Sequence, residues 1–451
     1  MDARLTRRTV LVTGALAVVT AGGLLSLSRA REPASPAGSM PDLENLPVAE
    51  VPAPTGQPVE VVYCAGWDAA ARAPVSPMSE AVARAQDAAG AQYAMVLLVD
   101  GAVRVVVEVC WSAHHAELWN VDDAGRRYRA VAYRRWPDGR LRLFEVRGWD
   151  HGRPASYPDQ PTFQARVGRE ENGAIRTVDI VAVEADGGTL HVARDWSDWP
   201  ERRRPTENVA VPALAGWPGL AEMTGPVTVR PGPEVVPSRF PWHPPRPLRP
   251  RYVTETVTDG TRFTTSDGRV LTVERMAAGS VRLPSGRLLV ADPALLDTDT
   301  PPFTAAVPPG EYPVDVFRAD PRGFRAVACR VTVTGAPVAS WHLALREGDH
   351  ELALGDGEFF GNPVDAGTLA LVDPAGVPAY SRTEIEKAMD GVGIDAVFRT
   401  ISDKDTGTDM VIVSSSGDGA YPVWLGRTED GAISCLVLDL LDPDLATAEP
   451  G

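Results

Sequence analysis

The stretch Met95-Val-Leu-Leu-Val-Asp-Gly-Ala-Val-Arg-Val-Val-Val-Glu-Val109, MVLLVDGAVRVVVEV, decides how the first half of the chain is read. Two apolar runs, residues 95–99 and 103–109, are broken by Asp100-Gly101. A two-residue hairpin turn needs positive φ at both central positions. Asp-Gly supplies it at low cost, so the pattern predicts a β-hairpin. The same punctuation recurs: residues 128–136 and 141–146 flank Pro137-Asp138-Gly139, and residues 175–183 and 190–192 flank Asp186-Gly187-Gly188. Ahead of these runs, Ser76-Pro77 predicts a helix start, with the serine as cap, the proline in the first turn and residues 80–91 as the body. The expected domain, residues 59–225, is an antiparallel β-meander with one helix.

Trp67, Trp111, Trp119, Trp136, Trp149, Trp196, Trp199 and Trp217 all fall in this domain, interleaved with Arg126, Arg127, Arg129, Arg134 and Arg135. Arginine beside an aromatic face suits a polyanion or a glycan. Strand alternation gives a simpler arrangement, with tryptophan covering the sheet and arginine on the solvated side, and that is the reading adopted. The adjacent His114 and His115 are expected to face opposite sides of a strand, where they cannot share a metal.

The chain has 451 residues and a net charge of −16, unevenly placed. Residues 252–451 carry 15 basic and 31 acidic side chains, and residues 1–251 carry 29 of each. An acidic half without a basic stripe argues against nucleic-acid binding. The N-terminus, MDARLTRRTVLVTGALAVVTAGGLLSLSRA, has a basic start at Arg4, Arg7 and Arg8, an uncharged and mostly apolar run over residues 9–27, and small residues at Ser28-Arg29-Ala30. That is the layout of an export signal, and Thr6-Arg7-Arg8-Thr9-Val10-Leu11 resembles the twin-arginine type. An uncleaved membrane anchor fits equally, because nineteen helical residues span roughly 28 Å. Both readings put the rest of the chain outside the cytoplasmic membrane, either secreted or membrane-anchored by the N-terminal helix. Residues 31–58 read as a disordered tether. Residues 226–251, with nine prolines, read as a semi-rigid linker.

Cys64, Cys110, Cys329 and Cys435 form no CxxC pair. Two lie in each half, so Cys64–Cys110 and Cys329–Cys435 are candidate disulfides in an oxidising compartment; four buried thiols are the alternative.

From residue 252 to 445 the pattern is of short β-branched runs between Pro/Gly turns: residues 270–273, 288–290, 314–317, 326–333, 341–345, 369–372, 410–413, 423–425 and 433–438. It predicts a β-sandwich-like or barrel-like domain. Ser381-Arg-Thr-Glu384 is a capping box and predicts a helix to about Met389. The whole chain is therefore expected to be mainly β with minor α. The motifs Leu283-Pro-Ser-Gly-Arg-Leu-Leu-Val-Ala-Asp-Pro293, Pro302-Phe-Thr-Ala-Ala-Val-Pro-Pro-Gly-Glu-Tyr-Pro-Val314, Pro337-Val-Ala-Ser-Trp-His-Leu-Ala-Leu345 and Gly417-Asp-Gly-Ala-Tyr-Pro-Val-Trp424 follow one another in this order. In that series the C-terminal half resembles the uncharacterised bacterial family known as domain of unknown function 4241. The resemblance implies no activity and no catalytic residue.

No GxSxG elbow, HExxH, Walker loop or strand-borne GxGxxG occurs. His342, beside Trp341, reads as a core or edge histidine. Carboxylates are the better candidates. Asp292, Asp365, Asp373, Asp418 and Asp439 each end an apolar run or sit in a glycine turn, positions expected at one rim of the sheets. If Asp365, in Gly357-Glu-Phe-Phe-Gly-Asn-Pro-Val-Asp365, meets Asp418, the pair can share a proton as catalytic carboxylates or bind a hard cation. Turn capping is the competing role, with residues 361–364 as the turn and Asp365 as its tie. Asp403, Asp405 and Asp409 are spaced like half a calcium loop, but lack the distal glutamate and suit a hairpin turn as well. No metal set and no cofactor is expected. The function that follows is a non-catalytic binding module at the cell envelope, its partner an envelope protein or glycan. The alternatives are a carboxylate-dependent hydrolase or lyase acting on an envelope polymer, and a toxin-neutralising protein.

Overall fold

The computed structural model describes, side chains included, residues 56–441 apart from 150, 152–160, 170–173, 183–190, 200–203, 265–267, 320–322 and 324. The export or anchor segment, nearly all of the tether and the Asp186 turn lie outside the described residues. The chain is mainly antiparallel β, and it divides into two compact units between Pro245 and Arg246. Among the described residues no helix is long and apolar enough to cross a membrane.

The N-terminal unit is built on one twelve-stranded sheet. Its strands are β1 (Val59–Asp68), β2 (Ala73–Pro77), β3 (Gln92–Val99), β4 (Ala102–Cys110), β5 (His115–Val121), β6 (Arg127–Arg135), β7 (Arg140–Gly148), β8 (Phe163–Arg169), β9 (Ile175–Val183), β10 (Thr189–Asp195), β11 (Asn208–Ala210) and β12 (Val227–Val229). From β3 to β10 each strand pairs antiparallel with the next in sequence, and β3 pairs with β1. The deciding hairpin forms as its sequence requires: Val99 faces Ala102, and Asp100 and Gly101 have φ of 51° and 76°. One sheet face carries Tyr63, Tyr93, Met95, Leu97, Val107, Leu118 and Leu143, covered by Trp111, Trp196, Trp199, Trp217 and helix α1 (Glu80–Ala88). The helix start differs from expectation. Ser76 and Pro77 end strand β2, and Ser79 is the cap, its Oγ accepting the Val82 N–H at 3.2 Å. A cap must directly precede the first helical residue, and Ser79 rather than Ser76 does so.

The proline-rich stretch makes contacts of its own within this unit. Residues of β12 pair in parallel with β1, Arg230 meets Glu60 at 2.6 Å, and the Trp242 indole donates to the Ala65 carbonyl at 2.7 Å.

The C-terminal unit has two main sheets. The first has six strands in the order β13 (Glu274–Leu283), β15 (Gly310–Arg318), β16 (Ala328–Thr332), β24 (Ile433–Asp439), β23 (Val423–Arg427) and β17 (Ser340–Leu343). The second has four, in the order β14 (Leu289–Ala291), β19 (Thr368–Val372), β21 (Thr408–Ser414) and β20 (Phe398–Asp403). Val281, Val314, Val331 and Leu436 of the first meet Val290, Leu369, Val411 and Val413 of the second in one buried core. Helix α2 (Arg382–Met389) places Ile385 and Ala388 on the other face of the four-stranded sheet, and its Ser381–Glu384 capping box is formed. A short ladder pairs β18 (Asn362–Val364) with β22 (Gly419–Tyr421). Residues 362–364, expected as a turn, are therefore strand, because Pro363 contributes no N–H and tolerates an edge position in such a ladder.

All four cysteines are buried free thiols. Register explains why neither expected bridge forms. Cys64 faces Ala94 while Cys110 faces Gln92 on the far side of β3, so the two lie two strands and two residues apart. That is about 12 Å, against a limit of about 7 Å for a disulfide. Cys329 faces Leu438, three residues from Cys435, an odd offset that points the two side chains to opposite faces. Burial pushes the Cys64 thiol up to about 12 and raises those of Cys329 and Cys435.

Candidate functional site

Two features are built from polar groups in apolar surroundings, one in each unit. In the C-terminal unit, β14 and β19 run antiparallel, with Ala291 facing Ala370 and Leu289 facing Val372. Asp292 and Asp373 follow these strands, so they sit at opposite ends of the ladder, not on one rim as expected. Both are buried, at 1% and 0% exposure. Asp292 accepts the N–H groups of Ala294, Asp365 and Ala366, each at 2.8 Å. Asp373 accepts from Ser285 N–H and Oγ and from Ala375 N–H. A buried carboxylate is tolerable only when hydrogen bonds replace its water, and backbone donors do that here.

The Asp292 clamp answers the question about Asp365. The backbone N–H of Asp365 is tied down, and its side chain is exposed. Val364 pairs with Gly419, which sets Asp365 next to Asp418 just beyond the ladder. The two carboxylates do approach, but both are on the exposed surface and neither lines the cavity described below. Asp439 is half-buried and caps the Leu441 N–H. Of the expected calcium-like carboxylates, Asp405 is exposed and the other two are committed elsewhere. Asp409 pairs with Arg282 at 2.8 Å and accepts the Ser402 hydroxyl, and Asp403 accepts the Thr406 N–H and Oγ1. Burial works against the Asp409 charge, but Arg282 and Ser402 hold its pKa below the usual range. Among the described residues no three metal-ligating side chains converge.

Beside the Asp292 clamp lies a cavity of about 300 Å³. Its apolar wall includes Val290, Leu295, Phe303, Ala344 and Phe360, and its polar wall Asp297, Asp299, Thr300, Arg346, Asp349 and Asn362. Arg346 directly follows the apolar run 341–345. Its Nη2 donates to the Val290 carbonyl and to Asn362 Oδ1, both at 2.6 Å, and its guanidinium lies 5.2 Å from the centroid of Phe303. Asn362, 2% exposed, is fixed in turn by donating to the Tyr421 carbonyl at 2.8 Å. Both acceptors of Arg346 are neutral, and no described carboxylate stands in ion-pair contact with it. Burial lowers its pKa, partly offset by the charge of Asp349. Asp349 Oδ2 accepts the Arg346 N–H at 2.8 Å, and burial raises the Asp349 pKa. The sequence reading missed Arg346, Asp349 and Asn362. A readable signal existed: an arginine at the end of an apolar strand, followed by a Glu-Gly-Asp turn.

In the N-terminal unit, a row of charge crosses the second face of the sheet. Glu108 faces Glu117, Glu117 faces Ala132, Ala132 faces Glu145, and Glu145 faces Arg166. The three glutamates are 4%, 4% and 7% exposed. Arg127 reaches Glu108 at 3.5 Å, Arg147 pairs with Glu117, and Arg166 reaches Glu145 at 3.0 Å. Arg127 and Arg147 both lie over the Trp119 ring, at 3.8 and 4.8 Å, and the Trp119 indole donates to Glu108 at 2.9 Å. His115, wholly buried, has no partner for Nδ1, and burial with Arg134 and Arg147 pushes its pKa far down. His114 sits outside the strand, in a left-handed turn with φ of 53°. Tryptophan thus covers the sheet, as expected; of the arginines expected on the solvated side, Arg126 is exposed and pairs with Asp122, whereas Arg127 reaches the buried Glu108. The signal was a lone glutamate on an otherwise apolar strand, as in Val105-Val-Val-Glu-Val109.

Burial, reinforced by the neighbouring Glu117, raises the Glu108 pKa to about 7 in spite of Arg127. The folded state then holds a proton that the unfolded chain releases near pH 4.5. Stability falls as pH rises from 4.5 to about 7, by at most about 1.4 kcal/mol per pH unit, and levels off above. Glu108→Gln, neutral throughout, removes this slope. In urea unfolding, the stability of the variant relative to the parent should rise between pH 5 and pH 7.5; parallel profiles would contradict the assignment.

No curated protein and no solved structure matches the chain. Residues 281–438, which contain both clamps, Arg346 and its cavity, match the family described as protein of unknown function DUF4241.

Proposed function

We propose that this chain is an exported or membrane-tethered envelope protein that acts by binding, and that the Arg346 cavity takes a small ligand bearing an anionic group. One observation carries the binding reading. A half-buried guanidinium on the cavity wall is held in place by neutral acceptors, both of them bound by its Nη2 alone. Removing a cation from water is costly unless a counter-charge compensates, so a site that fixes an arginine without a carboxylate partner favours an anion. The aliphatic and aromatic wall adds apolar contact. Asp365 and Asp418 are neighbours on the exposed surface and neither lines the cavity, which favours binding over the hydrolase or lyase alternative. Export rests on the basic, apolar and small-residue segments of residues 1–30.

Two measurements test this reading. Calorimetric titration with leucine and with 4-methylpentanoate should detect saturable binding of at least one, lost by tenfold or more in Arg346→Gln. No binding of either, or binding that survives the substitution, would overturn the site. For export, an Arg7→Lys, Arg8→Lys variant should accumulate in the cytoplasm on fractionation, whereas unchanged export would remove the twin-arginine route.

A further inference from the structure

The cavity holds more than an anion site. Arg346 and Asp349 stand at the two ends of one tight turn, in which the Asp349 N–H donates to the Arg346 carbonyl at 3.1 Å and the Arg346 N–H donates back to Asp349 Oδ2. That reciprocal pair fixes a cation and a carboxylate three residues apart on the same wall. Only Oδ2 of Asp349 is used, which leaves Oδ1 for a ligand. Asp299, exposed at the rim, adds a second carboxylate, while Asp297 is occupied in its own turn by accepting from Asp299 N–H and Thr300 Oγ1. Asp292 is excluded as a ligand group, because Ala294, Asp365 and Ala366 take both its oxygens. Phe303, against which the Arg346 guanidinium lies, and Phe360 are buried at 3% and 7% exposure, and Leu295 in the same lining is 55% exposed.

We infer that the cavity takes a free α-amino acid with an apolar side chain, its carboxylate on Arg346, its ammonium on Asp349 and Asp299, and its side chain against Phe303, Phe360 and Leu295. The inference rests on the binding reading of the same cavity. Size agrees: a cavity of about 300 Å³ has room for many waters, and so for an amino acid of leucine size. An anion alone would leave Asp349 beside it as a like charge, and a cation alone would leave Arg346 unanswered. A zwitterion satisfies both, and each half is worth little without the other.

Three probes separate the possibilities by calorimetry on the full chain. Leucine carries both charges, 4-methylpentanoate lacks the ammonium, and N-acetyl-leucine mimics a peptide C-terminus. Leucine should bind at least tenfold more tightly than either of the others. Asp349→Asn keeps an acceptor for the Arg346 N–H and should erase this preference while leaving 4-methylpentanoate binding in place. If thermal unfolding shows that variant to be misfolded, Asp299→Asn, at an exposed position, should lower the preference instead. Equal affinity for leucine and 4-methylpentanoate would overturn the amino-acid assignment and leave the anion site standing. Equal affinity for leucine and N-acetyl-leucine would overturn it in favour of a chain end. A preference for leucine that both asparagine variants retain would overturn it as well.

Discussion

Two buried carboxylates, Asp292 and Asp373, hold the C-terminal unit together at the ends of one strand pair. Each ends an apolar run and turns back to collect backbone N–H groups from a segment distant in sequence. Asp373 binds residue 285, and Asp292 binds residues 365 and 366. Leaving a buried donor without a partner costs about 1–3 kcal/mol, so each clamp is worth several times an exposed contact. The Asp292 clamp has the wider consequence. It fixes the chain just after β18, and β18 carries Asn362. Asn362 fixes Arg346, and the position of Arg346 makes the cavity polar on one side. The path from a turn-capping residue to the cavity therefore runs through two hydrogen-bonded steps and one short strand.

Much of this fold could be read from local chemistry. Asp-Gly between apolar runs gave the meander its first hairpin, and Ser381 with Glu384 gave the helix start, because both signals act within a few residues. An aspartate after a Gly-Asn-Pro run should tie a turn, yet here its own N–H is tied by an aspartate 73 residues earlier in the chain. Register across strands is non-local, and it also decided the cysteines. Cys64 and Cys110 looked like partners until their strands were laid side by side. The site residues were hidden for a related reason. Arg346, Asp349 and Asn362 form no motif in sequence, and β17, β18 and the Asp292 clamp must all be placed before they converge.

The N-terminal unit solves a different problem with the same groups. A sheet of this width has two faces, and helix α1 covers only one of them. On the other, Glu108, Glu117 and Glu145 are buried in a row. A like-charged pair directly across two strands is destabilising unless countered. Arg127, Arg147 and Arg166 counter it, and Trp119, between two guanidinium groups, keeps water away. Glu108 remains the least compensated of the three, since its arginine stands at 3.5 Å and its closest partner is a neutral indole. Arg127, Arg147 and Arg166 thus serve the buried carboxylates of their own sheet.

The central claim is that the Arg346 cavity is a ligand site. The most direct test is a crystal structure of the full chain grown with leucine. The account predicts leucine in the cavity, its carboxylate about 2.7–3.2 Å from the Arg346 guanidinium and its ammonium turned towards Asp349. An empty cavity at a concentration that saturates binding in solution, or leucine bound elsewhere on the chain, would contradict it.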